Sequence, residues 1–163
     1  MDFLIEIGLA GINSRIKRLS DDLLYSTRDY YKSVNLDIEP NWHLIFLILE
    51  KHESLTITEI SQELRMSHPA CIKIVNKMKK KDYINTKVDK TDSRKQLLEL
   101  SEKAKEKLPD FHKHWDACIK TTKELLEESP NFIKDLTAFE NLVTEKNYME
   151  RTLTHLKNNE LDS

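Results

Sequence analysis

Apolar residues recur along most of this chain at helical spacing and turn to alternation in one short stretch. Ile12, Ile16, Leu19, Leu23, Tyr30 and Val34 follow steps of three and four, with Thr27 filling one step. This predicts one long helix over residues 3–35, bent near Gly8 or Gly11. The stripe is longer than one small domain covers, which points to packing against a second subunit or against the C-terminal helices. A short connection follows, and Pro40 marks a helix start. Trp42, Leu44, Ile45, Phe46, Leu47, Ile48 and Leu49 make the next helix nearly all apolar, so it is expected to be the most buried element. Glu50 to Ser54 then reads as a plain connection. Further on, Leu108, Phe111, Trp115, Cys118, Ile119, Leu125 and Leu126 predict a helix capped by Ser101 and running to about Glu128, kinked or divided at Pro109. Ser129-Pro130-Asn131 breaks it. One last helix carries Phe132, Ile133, Leu136, Phe139, Leu142, Val143, Tyr148, Met149 and Leu153. The polar tail from Lys157 to Ser163 is expected to fray.

The most informative stretch lies between these flanks. Thr56-Ile57-Thr58-Glu59 reads as a capping box, in which hydroxyl and carboxylate satisfy each other's backbone N–H. Ile57, Ile60 and Leu64 then share one face of a short helix. Arg65-Met66 breaks the pattern. Ser67 is a second N-cap, and Pro69 falls in a first turn, where a missing N–H costs nothing. Cys71, Ile74, Val75 and Met78 form the inward face of the second helix. Its outward face carries His68, Ile72, Lys73, Asn76 and Lys77, with Pro69 beside them. Two short helices joined by a tight turn, the second polar and basic outside, describe a helix-turn-helix. Lys79-Lys80-Lys81 ends it, with cations at the negative end of the helix dipole. Tyr83 to Val88 alternates and is rich in β-branched residues, Asp89 to Ser93 is a polar turn, and Gln96 to Leu100 returns. A hairpin directly after a helix-turn-helix is a wing. The fold class expected is therefore mainly α with a small β-hairpin wing, a winged helix over about 40–101. Helices over about 3–35 and 102–155 flank it for dimerisation, in a single domain over 1–163.

These residues resemble the MarR-type winged-helix transcription regulators. The resemblance rests on Leu64 to Ala70, on Met78 to Ile84, and on Asp92-Ser93-Arg94 with Leu100-Ser101 closing the wing. The family pattern there is Asp-x-Arg, five spacer residues, then Leu-Thr; this chain keeps the spacing and has Ser101 for the Thr. Asp82 stands where a Gly usually ends the recognition helix, and Ala104 where one usually follows the wing. Asp tolerates the left-handed conformation better than most residues, so the same shape with a small local strain is expected. Ser14 to Ser20 and Glu39-Pro40-Asn41-Trp42 look like the regulator half of proteins fusing such a domain to a GNAT-type acetyltransferase, and that second half is not in this sequence. The resemblance implies duplex DNA and a second copy of the chain as partners. It further implies that Arg94 enters the minor groove, braced by Asp92. It also implies a small anionic or aromatic ligand in a cleft between dimerisation helices and winged helix, where Tyr25, Trp42 and His43 are the candidates.

Charge sharpens the picture. The net charge of −2 alone argues against a nucleic-acid binder. Residues 65–95, however, hold ten Lys or Arg against three acids, leaving sixteen basic and twenty-five acidic residues elsewhere. A basic reading head on an acidic body fits a duplex binder. The expected DNA-contacting set is Ser67, His68, Pro69, Ile72, Lys73, Asn76 and Lys77 from the recognition helix, with Lys87, Lys90, Asp92, Arg94 and Lys95 from the wing.

Other chemistry finds little support. No P-loop, G-x-S-x-G or metal-type cysteine spacing occurs, so neither an enzyme nor a cofactor or metal is expected. His112 and His114 at i, i+2 point about 200° apart on a helix and cannot share one metal unaided. Cys71 and Cys118 read as reduced thiols; a core thiol has a raised pKa and low reactivity, although a redox role for either stays open. There is no apolar run long enough to span a membrane, and the acidic N-terminus is unlike a signal peptide, so a cytoplasmic protein without membrane contact is expected. The leading function is a homodimeric, sequence-specific, ligand-responsive DNA-binding regulator, a repressor. The alternatives are a winged-helix protein-interaction module and a regulatory partner of an acetyltransferase acting in trans.

Overall fold

The computed structural model describes residues 2–161, with side chains through residue 158. Two compact units divide it, one ending at His112 and the other starting at Lys113. In the first, α1 (Phe3–Glu6) and a 3-10 turn at Gly8–Gly11 precede α2 (Ile12–Ser33). The single helix expected over 3–35 is therefore broken. Gly8 adopts φ +57°, a conformation other residues resist. Gly11 is buried so close to α1 that a Cβ there would lie 2.2 Å from the Leu4 carbonyl oxygen.

The winged helix follows as α3 (Trp42–His52), β1 (Ser54–Thr56), α4 (Ile57–Glu63), α5 (His68–Lys80), β2 (Ile84–Val88) and β3 (Gln96–Leu100). The strands form one antiparallel sheet of order β1-β3-β2. Of the stretch Glu50 to Ser54 expected as connection, residues through His52 belong to α3 and Ser54 opens β1. β1 forms because Ser54, Leu55 and Thr56 pair with Glu99, Leu98 and Leu97. The core is aromatic. Tyr83 packs edge-on to Trp42, Phe46 and Phe111 at centroid distances of 6.1, 5.5 and 5.9 Å. Such tilted contacts suit ring quadrupoles. α3 buries Trp42, Ile45, Phe46, Ile48 and Leu49 but leaves Leu44 and Leu47 exposed, so it is not buried all round.

Behind the wing, α6 (Glu102–Glu127) runs through Pro109 without division. Ser101 caps it, accepting from Ala104 N–H at 3.1 Å, while its own hydroxyl donates to the Asp82 carbonyl at 2.6 Å. The division into two units falls within α6. The second unit continues with α7 (Phe132–Glu145) and α8 (Tyr148–Leu161), not the single last helix expected. Asn147 and Glu150 form a reciprocal cap that starts α8 afresh, and Arg151 Nη2 donates to the Leu142 carbonyl in the last turn of α7. Helix replaces the fraying expected from Lys157 as far as Leu161, and the last two residues of that tail lie outside the described residues. Apolar side chains line solvent on both flanks: Ile16, Leu19 and Leu23 on α2, and Phe132, Leu136, Phe139 and Val143 on α7.

Candidate nucleic-acid interface

The helix-turn-helix is set by short-range bonds. In the Thr56–Glu59 box, Glu59 N–H donates to Thr56 Oγ1 at 3.2 Å, and Thr56 N–H donates to Glu59 Oε2 at 2.7 Å. That backbone bond, with the Thr56 hydroxyl donating to the same Oε2 at 2.7 Å, holds the Glu59 carboxyl below its ordinary value. The turn bends at Arg65, which takes φ +48°, and Met66 N–H donates to the Ser61 carbonyl. Ser67 Oγ then accepts from Ala70 N–H at 3.4 Å and starts α5. Cys71, Ile74, Val75 and Met78 are buried as the pattern required. Burial also pushes the Cys71 thiol up, away from reactivity, and does the same to Cys118. His68, Pro69, Ile72, Lys73, Asn76 and Lys77 are exposed together along the opposite face, with Ser67 at its N-terminal end.

The polar turn expected over Asp89 to Ser93 is organised by the Asp89 side chain, a role its place in the turn did not mark. Asp89 Oδ1 accepts from Thr91 Oγ1, Thr91 N–H and Asp92 N–H at 2.6–3.0 Å. The Thr91 hydroxyl first, and then the two backbone donors, lower the Asp89 carboxyl to about 2. Asp89-x-Thr91-Asp92 is a local Asx-type motif, so the signal was present in the sequence. Asp89 and Lys95 close the loop through Asp89 N–H to the Lys95 carbonyl. Asp92 accepts from Arg94 Nε at 3.0 Å, from Nη2 at 3.3 Å and from Arg94 N–H at 3.1 Å. These bonds, led by the guanidinium, lower the Asp92 carboxyl and hold an arginine side chain that is 89% exposed. Lys90 and Lys95 are exposed beside it. Lys87 differs, because it is bonded to Glu99 across the hairpin. Lys77 also has an internal partner, Glu39 Oε1 at 3.8 Å.

The base of the wing is tied back to α5 and α6. Asp82 takes φ +59°, the left-handed shape expected where a Gly usually stands. Lys103 Nζ donates to the Lys81 carbonyl at 2.6 Å and lies 4.5 Å from the Tyr83 ring centre. The winged helix therefore presents a basic helix face and an arginine-tipped loop.

Residues 36–95 match the family model described as MarR family. The winged helix is thus similar to those of the MarR family. No curated protein matches the chain in sequence. Solved structures extend the likeness to the flanking helices. S. aureus MepR in its complex with DNA matches with a TM-score of 0.68 and 17% identity, covering 83% of this chain and 98% of that one. A MarR/EmrR family transcriptional regulator from Acinetobacter sp. ADP1 matches at 0.66 and 22%, covering 82% and 95%. S. pneumoniae FabT in complex with DNA matches at 0.60 and 20%, covering 82% and 96%. At these identities the likeness establishes the MarR winged-helix fold.

The three candidate ligand residues do not line one site. A cavity of about 360 Å³ lies beside Trp42, walled by Arg28, Tyr31 and Lys32 of α2, by the α2–α3 connection, and by Lys77, Lys80 and Lys81. Tyr25 sits instead on the open face of α2 near Lys17 and Asp21, where the Arg28 guanidinium lies 5.5 Å from its ring. His43 Nδ1 donates to the Pro40 carbonyl at 2.8 Å and does not reach the cavity wall. Among the described residues no cluster of three His, Cys, Asp or Glu could hold a metal, and no helix is long and apolar enough to cross a membrane.

Proposed function

We propose that this chain is a homodimeric, sequence-specific DNA-binding transcription regulator, a cytoplasmic repressor whose hold on its operator responds to a small ligand. The observation that carries the reading is the exposed face of α5 beside the braced, solvent-facing Arg94, on a winged helix similar to those of the MarR family. The DNA present in the MepR and FabT complexes supports it. Asn76 would pair with an adenine edge and Ile72 pack on a thymine methyl in the major groove, with Ser67, His68, Pro69 and Lys73 along the same face. Arg94 would enter the minor groove, where narrow A-tracts deepen the negative potential. Lys90 and Lys95 would meet phosphates, and Lys77 and Lys87 would join them on leaving Glu39 and Glu99.

The unfilled apolar stripes on α2 and α7 support the dimer. A stripe of this length left in water is a cost that a second copy removes, and an isologous contact would set two recognition helices about one helical turn apart, roughly 10 bp. The cavity supports the effector. Trp42 is buried with its Nε1–H unpartnered, and the walls carry five cations against Asp37 and Glu39, which suits a small amphipathic anion.

Genomic footprinting together with analytical ultracentrifugation tests the reading. The expected result is a dimer at micromolar concentration that protects a pseudo-palindrome. A monomer with no protected site would favour the protein-interaction module. Co-purification with an acetyltransferase would favour the partner in trans, a reading carried by Ser14–Ser20 and Glu39–Trp42 alone.

A further inference from the structure

The connection between α2 and α3 is acidic, and it lies against the basic C-terminal half of α5. Glu39 sits between two cations, with Oε2 3.6 Å from Arg28 Nη2 and Oε1 3.8 Å from Lys77 Nζ. Asp37 Oδ1 accepts from Lys81 Nζ at 2.6 Å. Lys77 and Lys81 are four residues apart, so the two carboxylates grip one edge of the recognition helix. That edge adjoins Lys73 and Asn76, and all four paired side chains remain partly open to solvent. A carboxylate and a phosphodiester offer an ammonium group the same anionic oxygen acceptors.

We propose that Asp37 and Glu39 are built-in competitors for DNA phosphate: they hold Lys77 and Lys81 in the free protein and so lower both its affinity for duplex DNA and the salt dependence of binding. The inference rests on the DNA-binding reading above. Partly exposed ion pairs of this kind are weak, so a duplex can displace them. Glu39 keeps Arg28 as a second partner when Lys77 leaves, so exchange strands no carboxylate there. The two acidic residues thereby set how many phosphates the recognition helix engages.

The test is fluorescence anisotropy of a labelled mixed-sequence duplex across a salt series, since the phosphate contribution does not depend on base sequence. The proteins are the wild type, Asp37→Asn/Glu39→Gln, and that double variant with Lys77→Met/Lys81→Met added. Each lysine that newly reaches a phosphate steepens the log–log salt slope by about 0.9, an extra gain of about 3.5-fold in affinity for a fourfold dilution of salt. The double variant should therefore bind more tightly at low salt with a steeper slope, and the added lysine changes should abolish both gains. Glu39→Gln alone should show the share due to Lys77, and it serves if circular dichroism shows the double variant misfolded. Wild-type affinity and slope in the carboxylate variants would overturn the inference, as would weaker binding at an unchanged slope, which marks a purely structural role. If the wild type binds and the variants match it, only this inference falls. If no protein binds duplex at any salt, the DNA-binding reading falls and takes this one with it.

Discussion

Replacing Ser101 by Ala removes one hydroxyl that serves two elements. Ser101 is 7% exposed, its oxygen caps α6 through Ala104 N–H, and its proton goes to the Asp82 carbonyl. Loss of a helix N-cap costs about 1 kcal/mol. The bond to Asp82 adds about 0.5–1.5 kcal/mol. The sum is about 1.5–2.5 kcal/mol, or a fall in Tm of about 4–8 °C for a chain of this size. Urea unfolding followed by circular dichroism measures it, with the midpoint shifting and the slope unchanged. Ser101→Thr keeps the hydroxyl and should stay within about 0.5 kcal/mol of the wild type. If Ser101→Ala were equally close, or if Ser101→Thr fell as far as Ser101→Ala, the double role assigned to the hydroxyl would be refuted.

Further outcomes follow from the interface. Lys73→Ala and Asn76→Ala should each cost about 1–3 kcal/mol at one operator position; gel-shift titrations showing unchanged affinity and base preference would remove α5 as the reading element. Lys90→Ala/Lys95→Ala should lower the salt slope by about 1.8 if both lysines meet phosphates, and an equal slope would place them elsewhere. The Asp89 carboxyl lies at about 2 against an ordinary 3.8, so its bonds hold the wing turn fully above the ordinary value and are lost as pH falls through the lower one. Thr91 and Asp92 amide shifts should accordingly stay constant from neutral pH to about 4 and move only on approach to 2; movement near 4 would show that the turn is not held by the carboxylate.

The parts legible in the sequence are those in which cause and effect lie within two turns of chain. The capping box at Thr56, the Ser67 cap, the inward set of α5 and the Asp92–Arg94 brace all join residues at most seven apart, and all stand as read. The Asn147–Glu150 cap is equally local and absent from that reading, as is the part the Asp89 side chain plays in the polar turn over Asp89 to Ser93. Tertiary structure alone decided the rest. Ser54–Thr56 is a strand only because β3 lies beside it, and no property of three residues encodes a distant partner. The break before α2 depends on how closely Gly11 approaches the Leu4 carbonyl. Helical periodicity placed Lys77 among the outward residues, but it could not show that Glu39, thirty-eight positions earlier, lies within reach of it. The same holds for Tyr25 and His43, which aromatic character grouped with Trp42 and the folded chain separates. Periodicity determines which side of a helix meets the core, because burial follows one angular coordinate. Which carboxylate faces which lysine depends on where distant segments are brought by packing, and that information exists only once the core has formed.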